Sequence, residues 1–317
     1  MVPCYGEEGN VAVLWQEIRR ALELVPVSWE LIFVDDGSPD QTWAAIRAVQ
    51  QQDRRVRGVR LSRNFGHQLA LLAGLGAATG DAVITMDGDM QHPPQLLPLL
   101  IREWLVGRKV VLTRRQDPPD LPWSKRLTSR LYYRLFSHLS GVKLAPGMAD
   151  FRLLDREAVT VLLSLREGRP FLRGLVHWIG FDPVVLEFSA GARRHGISRY
   201  NWQKMLSFAW SGILGFSIIP LRISLVIGFV VSAIAFLLLG ETLYTRFFTD
   251  RAAPGWASLS AMISLFFGIL FIILGILGEY LARILEEVRA RPRFIVSETV
   301  GAEVRDAGQP SRRTASG

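Results

Sequence analysis

Two long apolar segments in the last third of the chain place the strongest limit on how it can fold. Residues 221–239 carry Arg222 as their only charge, and residues 259–277 carry none. Each segment is 19 residues long, close to the ~20 residues that a helix needs to cross a bilayer core. Buried helices of a soluble protein are the alternative, but they seldom run this far without a polar interruption. The sequence therefore predicts two transmembrane helices within residues 221–281.

The charges that flank these segments predict an orientation. The segment between them, residues 241–258, has two arginines that are offset by Glu241 and Asp250. Four arginines follow the second apolar segment closely, namely Arg283, Arg289, Arg291 and Arg293. Because positively charged flanks stay in the cytoplasm, we expect a short exterior hairpin and a cytoplasmic basic tail over residues 282–317. The end of that tail, residues 301–317, has a composition typical of disorder.

The residues before the first apolar segment predict contact with the membrane surface. Residues 202–216 carry apolar side chains at helical spacing and follow the basic stretch 193–204. This pattern is typical of an interfacial amphipathic helix, placed at 201–220, although a soluble core helix has the same spacing. The net charge of +8 and pI near 10.1 also fit a membrane surface or an anionic substrate, and we expect no nucleic acid.

The start of the chain bears on its compartment. The first residues lack the basic and apolar regions of a signal peptide, so we expect most of the chain to stay in the cytoplasm. Cys4 is the only cysteine, which excludes an intramolecular disulfide and a cysteine-based zinc site. Together with the two apolar segments, these observations predict a multi-pass protein of the inner, cytoplasmic membrane.

The first 115 residues alternate between helix-like and strand-like segments. Predicted helices lie at 9–24, 43–52, 67–78 and 96–106, and predicted strands at 31–34, 56–61, 82–85 and 109–113. Short apolar strands between helices are typical of a parallel sheet covered on both faces. The predicted fold class is therefore α/β, with a doubly wound domain ahead of the interfacial and transmembrane helices.

Acidic residues follow two of these predicted strands. Residues 35–38 read DDGS, and residues 87–89 read DGD. Ligands of doubly wound sheets bind at the carboxyl ends of the strands, so both clusters are expected to face one crevice. A turn followed by a helix cap would explain the first cluster equally well if it stood alone.

The second cluster has the composition of a cation site. In an extended segment, Asp87 and Asp89 point the same way and could share one hard divalent cation, with the Gln91 amide oxygen as a third ligand. Mg²⁺ or Mn²⁺ held in this way keeps positions open for substrate phosphates. A surface turn with solvated carboxylates is the alternative.

Six segments, in chain order, match the motifs of one family. They read VPCYGEEGN at 2–10, VDDGS at 34–38, LSRNFGHQ at 61–68, DGDMQHPP at 87–94, DFRLL at 150–154 and RRHGISRY at 193–200. Over residues 2–293 the chain resembles glycosyltransferase family 2, and within it the polyprenyl-phosphate glycosyltransferases of the dolichyl-phosphate mannosyltransferase and bactoprenol glucosyltransferase type. The resemblance implies a cytoplasmic GT-A-type domain over residues 1–200. It also implies inverting transfer of a sugar from a UDP- or GDP-sugar to a polyprenyl (undecaprenyl) phosphate.

The chain departs from the family pattern at a few positions. Gly6 stands where Asn is usual, Gly88 where Ala is common, and Arg199 where Lys is usual. The first two changes remove side chains, and the third keeps the charge. Most of the apolar strand expected before Pro3 is also missing, which leaves either a misassigned start or a shortened first strand.

The resemblance implies roles for individual residues. Asp87, Asp89 and Gln91 are expected to hold the metal, and Asp89 and Asp150 are expected to be catalytic. The residues expected at the donor are Pro3, Tyr5, Glu7, Asp35, Asp36, Asp87, Arg193 and Arg199. Those expected at the acceptor phosphate are Arg114, Arg126 and Arg130, with Arg115 and Lys125 near them. Asp150 occupies the place of the family's candidate base. However, a phosphate monoester has a second pKa near ~6 and is already a nucleophile at neutral pH, so Asp150 could instead orient the acceptor or bind a sugar hydroxyl.

Two other functions remain open at this point. A processive polysaccharide synthase shares the acidic clusters but usually carries a QxxRW motif, which residues 203–206 do not match. A non-catalytic membrane protein that binds nucleotide-sugar would not need Asp87, Asp89 and Asp150 together. The resemblance also implies a separate flippase for the product, and it leaves the sugar, the nucleotide and assembly into homo-oligomers undecided.

Overall fold

The computed structural model describes residues 1–116, residues 147–188 except 166 and 169, residues 219–248 and residues 255–301. Its strands are β1 Val2–Cys4, β2 Leu31–Asp35, β3 Val56–Leu61, β4 Ala82–Thr85, β5 Val110–Arg115, β6 Met148–Asp155, β7 Pro183–Phe188 and β8 Val296–Val300. Its α-helices are α1 Val11–Leu22, α2 Thr42–Gln52, α3 His67–Ala77, α4 Leu97–Leu105, α5 Arg156–Ser164, α6 Leu172–Trp178, α7 Ile219–Phe248 and α8 Trp256–Val288. A short 3₁₀ turn at Pro94–Leu96 precedes α4.

Helices cover both faces of the strands, which confirms the predicted α/β architecture. One buried apolar cluster joins the strands to α3, α5 and α6. A second cluster joins them to α1, α2 and α4. The sequence explains this packing: all five residues of β2 are buried, and α1 buries one stripe at helical spacing, consisting of Val11, Leu14, Trp15, Ile18 and Leu22.

The strands form two sheets rather than the parallel sheet predicted from the first 115 residues. In the first sheet, in the order β1-β2-β3-β8, the strands β1, β2 and β3 are parallel. In the second, in the order β4-β6-β5-β7, β6 runs antiparallel to both β4 and β5. The amino group of Met1 donates to Ile84 O at 2.6 Å, which joins the sheets. Strands β1, β2 and β3 follow the prediction of a parallel sheet for the first 115 residues. The antiparallel strand β6 lies beyond those residues, in the segment that carries the DFRLL motif.

Strand β8 lies beyond the apolar helices in sequence, yet it belongs to the first sheet. It pairs antiparallel with β3, with Gly58 opposite Val300 and Arg60 opposite Glu298. The Trp43 indole N–H donates to Glu298 Oε2 at 2.9 Å. The sequence analysis did not predict this strand, because its five residues show no apolar alternation and its partner is far away in sequence.

Helices α7 and α8 contain the two apolar segments and are the candidate membrane spans. Residues Leu221–Leu238 have a mean hydropathy of 2.4 with 6% of the window buried, and Leu265–Val288 have 2.3 with none buried. Helix α8 contains the whole of the predicted apolar segment 259–277. The expected interfacial helix at 201–220 and the expected disorder beyond residue 301 fall almost entirely outside the described residues.

Candidate active site

The carboxyl ends of β1, β2 and β4 meet at one edge of the domain, as predicted. Gly88, in the loop after β4, packs directly on the first strand. A Cβ atom at this position would lie 3.2 Å from Pro3 O and 3.3 Å from Cys4 Sγ. The close approach explains why the smallest residue fits where the family often has alanine. It also brings the DGD segment against the donor-binding residues expected at 3–7.

The segment after β1 is tied to the loop after β2. The Gly6 amide donates to Ser38 Oγ at 3.1 Å, and the Glu7 amide donates to Thr42 Oγ1 at 2.9 Å. Gly6 has a φ of +72°, a left-handed conformation that glycine and asparagine adopt most readily. The change from the family's asparagine therefore preserves the turn. The Tyr5 side chain stays exposed at this edge, where a ligand could reach it.

The two acids of the DDGS segment are buried and hold loops in place. Asp35 Oδ1 accepts from the Ser38 amide at 2.9 Å, and Arg60 Nε lies 3.2 Å from Asp35 Oδ2 without hydrogen-bond geometry. The Asp36 carboxylate accepts from the amides of Phe65 at 2.7 Å and Gly66 at 2.9 Å. Burial raises the pKa of Asp36 despite these hydrogen bonds. Asp36 therefore fixes the loop that leads into α3.

The DGD segment forms a turn and not the extended segment that we expected. Strand β4 ends at Thr85, and Met90 has a φ of +64°. Asp89 Oδ1 accepts from the Gln91 amide at 3.1 Å, and Gln91 Oε1 accepts from Arg115 Nη1 at 3.3 Å. The extended conformation expected for Asp87 and Asp89 is therefore absent, because β4 ends at Thr85 and the chain has left the sheet before it reaches Asp87.

The oxygen atoms of this turn nevertheless suit a hard divalent cation. Asp87 Oδ1 is buried without a hydrogen-bond partner among the described residues, and a buried acceptor left in this state costs stability unless a ligand satisfies it. Within the described part of the chain, no three His, Cys, Asp or Glu side chains converge to hold a metal ion by themselves. Two carboxylates and an amide, completed by substrate phosphates, form a coordination shell typical of Mg²⁺.

His92 fixes the backbone of Asp87. Its Nδ1 accepts from the Asp87 amide at 3.0 Å, and its ring stacks on Phe151 with centroids 5.2 Å apart. Burial lowers the pKa of His92 although Asp87 and Asp89 lie near it. A neutral imidazole is therefore built into this turn, and it acts as a hydrogen-bond acceptor for the amide.

Asp150 lies in β6 and is almost fully buried, at 3% exposure. Arg152 contacts its Oδ1, and Arg173 donates from Nη2 to Oδ2 at 2.8 Å. Burial alone would raise the pKa of Asp150, but Arg173 and Arg152, with a hydrogen bond from His67, hold that pKa well below its usual value. A carboxylate in this state is a weak proton acceptor, so the geometry favours an orienting role for Asp150 over a general base.

His67 joins the two acidic positions, and the sequence analysis gave it no role. Its Nε2 lies 3.5 Å from Asp87 Oδ1 and 3.5 Å from Asp150 Oδ2, and its side chain is 42% exposed. Burial lowers the pKa of His67, but the two carboxylates outweigh that effect and raise it. One signal was available in the sequence: His67 opens a helix that directly follows a strand, at the sheet edge where the acids also lie.

The arginines expected at the acceptor phosphate are only partly described. Arg114 forms an ion pair with Glu187 of the neighbouring strand β7, and that arginine lowers the pKa of Glu187. Residues expected at the acceptor or the donor that lie outside the described part of the chain are Lys125, Arg126, Arg130, Arg193 and Arg199.

Curated relatives match this chain over nearly its whole length, and three of them show the range of identity. The uncharacterized glycosyltransferase YkcC of Bacillus subtilis is 37% identical over 303 residues, which is 96% of this chain and 94% of that protein. The bactoprenol glucosyl transferase of Shigella phage SfII is 36% identical and covers 94% and 97%. The prophage bactoprenol glucosyl transferase homolog of Escherichia coli K12 is 34% identical and covers 93% and 97%.

A family model agrees with these relatives. The model described as glycosyl transferase family 2 matches residues 1–163, a range that includes β1 to β6 and the described acids of the crevice. The resemblance drawn from the six motifs is thereby confirmed, and the protein is an enzyme. The chain belongs to glycosyl transferase family 2.

Proposed function

We propose that this enzyme transfers one sugar from a nucleotide-sugar to a polyprenyl monophosphate at the cytoplasmic face of the membrane. One observation carries the proposal: proteins described as bactoprenol glucosyl transferases are 36% identical to this chain over 94% of its length. Their similarity extends through the apolar helices as well as the α/β domain. The product would be a polyprenyl-phosphate-sugar for modification of cell-envelope glycans.

The donor would bind at the ends of β1, β2 and β4. Pro3, Tyr5, Glu7, Asp35 and Asp36 would hold the nucleoside, and Asp87 would lie at the diphosphate. The buried pairs at this edge support the assignment, because the loops that would surround the nucleoside are tied together by Ser38, Thr42 and Asp36. Arg193 and Arg199 would approach the diphosphate, where a guanidinium can engage two oxygens at once.

Asp87, Asp89 and Gln91 would hold the divalent cation. Mg²⁺ or Mn²⁺ bound there would act as a Lewis acid that neutralises the leaving diphosphate. Asp87 Oδ1 is buried and accepts no hydrogen bond from the described residues, which supports this assignment. His92 would keep the turn in shape through the Asp87 amide.

The chemistry needs little from a protein base. An oxygen of the acceptor phosphate would attack C1 of the sugar from the face opposite the leaving group. The new C1–O bond would form while the C1–O bond to the diphosphate breaks, with its electron pair going to the diphosphate and the anomeric configuration inverting. A phosphate monoester, with a second pKa near ~6, has lost its proton before the attack. The low pKa of Asp150 is compatible with this mechanism.

The apolar helices would bring the enzyme to its lipid acceptor. We keep the boundaries drawn from the sequence: a catalytic domain at 1–200, an interfacial helix at 201–220, two spans within 221–281 and a cytoplasmic tail at 282–317. Strand β8 supports a two-span hairpin, because it pairs with β3 of the α/β domain and so must lie on the same side of the membrane as that domain. The chain must then cross an even number of times. The glycolipid would be made on the inner leaflet, and a separate flippase would turn it over.

A donor panel tests the proposal. The purified full chain, in detergent with undecaprenyl phosphate and Mg²⁺ or Mn²⁺, would receive radiolabelled UDP-glucose, UDP-galactose and GDP-mannose in separate reactions. We expect label from one donor to move into the organic phase, and to do so only when the lipid is present. Label that stays in the aqueous phase with every donor and both metals would contradict the proposal.

A further inference from the structure

The segment that follows α8 returns to the edge of the first sheet where the donor is proposed to bind. Strands β2 and β3 are parallel, with Asp35 at the end of β2 opposite Arg60 near the end of β3. Strand β8 runs antiparallel to β3, so its first residue, Val296, lies opposite Leu61, the last residue of β3. The start of β8 and the acids that follow β2 therefore lie at the same edge of one sheet.

A backbone hydrogen bond extends this pairing beyond the two strands. The Ser62 amide, in the loop of residues 62–66 that follows β3, donates to Ile295 O at 2.9 Å. Phe294 and Phe65 are half-buried and pack against the same apolar cluster. The segment that arrives from α8 is thus joined to the loop after β3 by one backbone hydrogen bond and by a shared apolar contact.

The other side of the same loop rests on the DDGS segment. A Cβ atom at Gly37 would lie 2.5 Å from the backbone carbon of Arg63, so the two backbones are in direct contact. The Asp36 carboxylate accepts from the amides of Phe65 at 2.7 Å and Gly66 at 2.9 Å. The loop after β3 therefore lies between a proposed donor-binding carboxylate and the chain that returns from α8.

We propose that the carbonyl of Ile295 positions loop 62–66 and, through that loop, the donor-binding carboxylate of Asp36. A carboxylate that accepts two amide hydrogen bonds is oriented by those amides, so a shift of the loop also shifts Asp36. The inference rests on the function proposed above. It makes the segment after α8 a support of the donor site, so donor affinity depends on a part of the chain that is attached to a candidate membrane span.

One position in the loop allows a sharp test. Ser62→Pro removes the N–H that donates to Ile295, and Leu61 is in a β-strand, a conformation compatible with a following proline. Ser62→Ala keeps the N–H and is the matched control. Gly58→Ala is a second control, because a Cβ atom there would lie 2.7 Å from Val300 Cγ2 and so strains the opposite end of β8.

The kinetic test compares the two substrates of the proposed reaction. The loss of one neutral hydrogen bond changes an equilibrium constant by roughly 2- to 12-fold, so Ser62→Pro should raise the donor KM by about that factor. The KM for undecaprenyl phosphate should stay unchanged. Ser62→Ala should match wild type, and Gly58→Ala should lower the Tm without a change in the donor KM. A donor KM that is the same for Ser62→Pro and wild type overturns the inference.

A measurement without substrates keeps this inference apart from the proposed function. Hydrogen exchange of residues 63–66 can be followed by mass spectrometry in the full chain in detergent. Ser62→Pro should exchange faster there than wild type, whereas Ser62→Ala and Gly58→Ala should not. This result supports the inference even if no sugar transfer is found, in which case only the proposed function fails. Equal exchange in Ser62→Pro and wild type overturns the inference, and transfer by wild type would still stand.

A second variant decides the question if Ser62→Pro gives no cooperative melt. Ile295→Gly loosens the returning segment, because glycine loses more conformational freedom on ordering than any other residue, and it leaves the loop after β3 unchanged in sequence. Faster exchange of residues 63–66 in Ile295→Gly supports the inference, and exchange at the wild-type rate overturns it.

Discussion

The α/β domain buries its large apolar side chains, whereas the pair of apolar helices exposes them. In the domain, Phe33 and Phe151 are fully buried. On α7, Phe229 is 77% and Phe236 is 74% exposed. A hydrophobic surface of this extent is unfavourable in water. The domain is therefore suited to an aqueous environment, and the helices are suited to an apolar one. The reaction that we propose joins a water-soluble donor to a lipid, and it needs both.

Strand β8 is where the two regions are physically connected. The chain leaves α8 at Val288 and enters β8 at Val296, so seven residues, or roughly 25 Å of extended chain at most, separate a candidate span from the catalytic sheet. This short tether keeps the domain close to the end of α8. The domain and the helices are therefore connected parts of one structure and not two independent units.

The largest effect should follow from a change in the domain that leaves the helices untouched. Asp89→Ala should abolish transfer, because changes in outer-shell partners alone cost about 10- to 100-fold and Asp89 is a proposed direct ligand. Membrane association should be unchanged. EDTA should also stop transfer, and Mg²⁺ or Mn²⁺ should restore it. Asp182→Ala, at an exposed position away from the crevice, is the control. Full activity in the presence of EDTA would contradict the proposal that transfer requires a divalent cation.

The next effect tests the side of the membrane on which each region lies. In a Cys4→Ser background, Gly255→Cys places a thiol just before α8, and Ser297→Cys places one on the exposed face of β8. An impermeant thiol reagent added to intact cells should label the first position and should label the second only after lysis. The reverse pattern would overturn the hairpin topology and the cytoplasmic donor supply.

A third change tests whether β8 truly packs on the domain. A Cβ atom at Gly58 would lie 2.7 Å from Val300 Cγ2 and 2.8 Å from Ile46 Cγ2, and both side chains are stiff at χ1. Gly58→Ala should therefore destabilise the protein by about 1–3 kcal/mol, measured as a lower Tm in detergent. Adding Val300→Ala should recover part of the loss.

Gly76→Ala is the matched control for that change. Gly76 lies in α3 with open space around a Cβ atom, the nearest neighbour being Leu163 at 4.0 Å. The substitution should raise stability by about 0.5–1 kcal/mol, because alanine favours a helix interior over glycine. Equal Tm values for Gly58→Ala and wild type would show that β8 does not rest on β3.

The smallest effect concerns a pH-dependent pair on the domain surface. Hydrogen bonds from Arg55 lower the pKa of Asp53 from 3.8 to about 2. Because the folded pKa lies below the unfolded value, the stabilisation is present above pH 3.8 and is lost as the pH falls toward 2. Arg55 is half exposed, so solvent screening limits the effect. Asp53→Asn should lower the unfolding free energy by less than about 1 kcal/mol at pH 7.

Thermal melts in detergent at pH 7, 5 and 3 check this prediction. The difference between Asp53→Asn and wild type should be constant from pH 7 to 5 and smaller at pH 3. A difference that grows as the pH falls would contradict the sign of the linkage.

The sequence predicted what depends on local pattern and missed what depends on distant pairing. Apolar periodicity located α1 to α4, β2 to β5 and the apolar cores of α7 and α8 within a few residues, and the strand ends located Asp35 and Asp87 at one edge. The antiparallel direction of β6 and the pairing of β8 with β3 depend on strands that are distant in sequence, so no short segment of the sequence could predict them. The sequence analysis did not identify Arg173 for the same reason, because this residue contacts Asp150 across 23 residues and no motif contains both.

The mass of the lipid product tests the central claim most directly. The purified chain would react with undecaprenyl phosphate, a divalent cation and the active donor, and the extracted lipid would be analysed by mass spectrometry. The account predicts a new species heavier than undecaprenyl phosphate by one hexosyl residue, absent when Asp89→Ala replaces wild type. A ladder of masses would indicate a processive polysaccharide synthase, and unchanged lipid with every donor would indicate that the enzyme uses a different acceptor; either result would contradict single-sugar transfer to a polyprenyl phosphate.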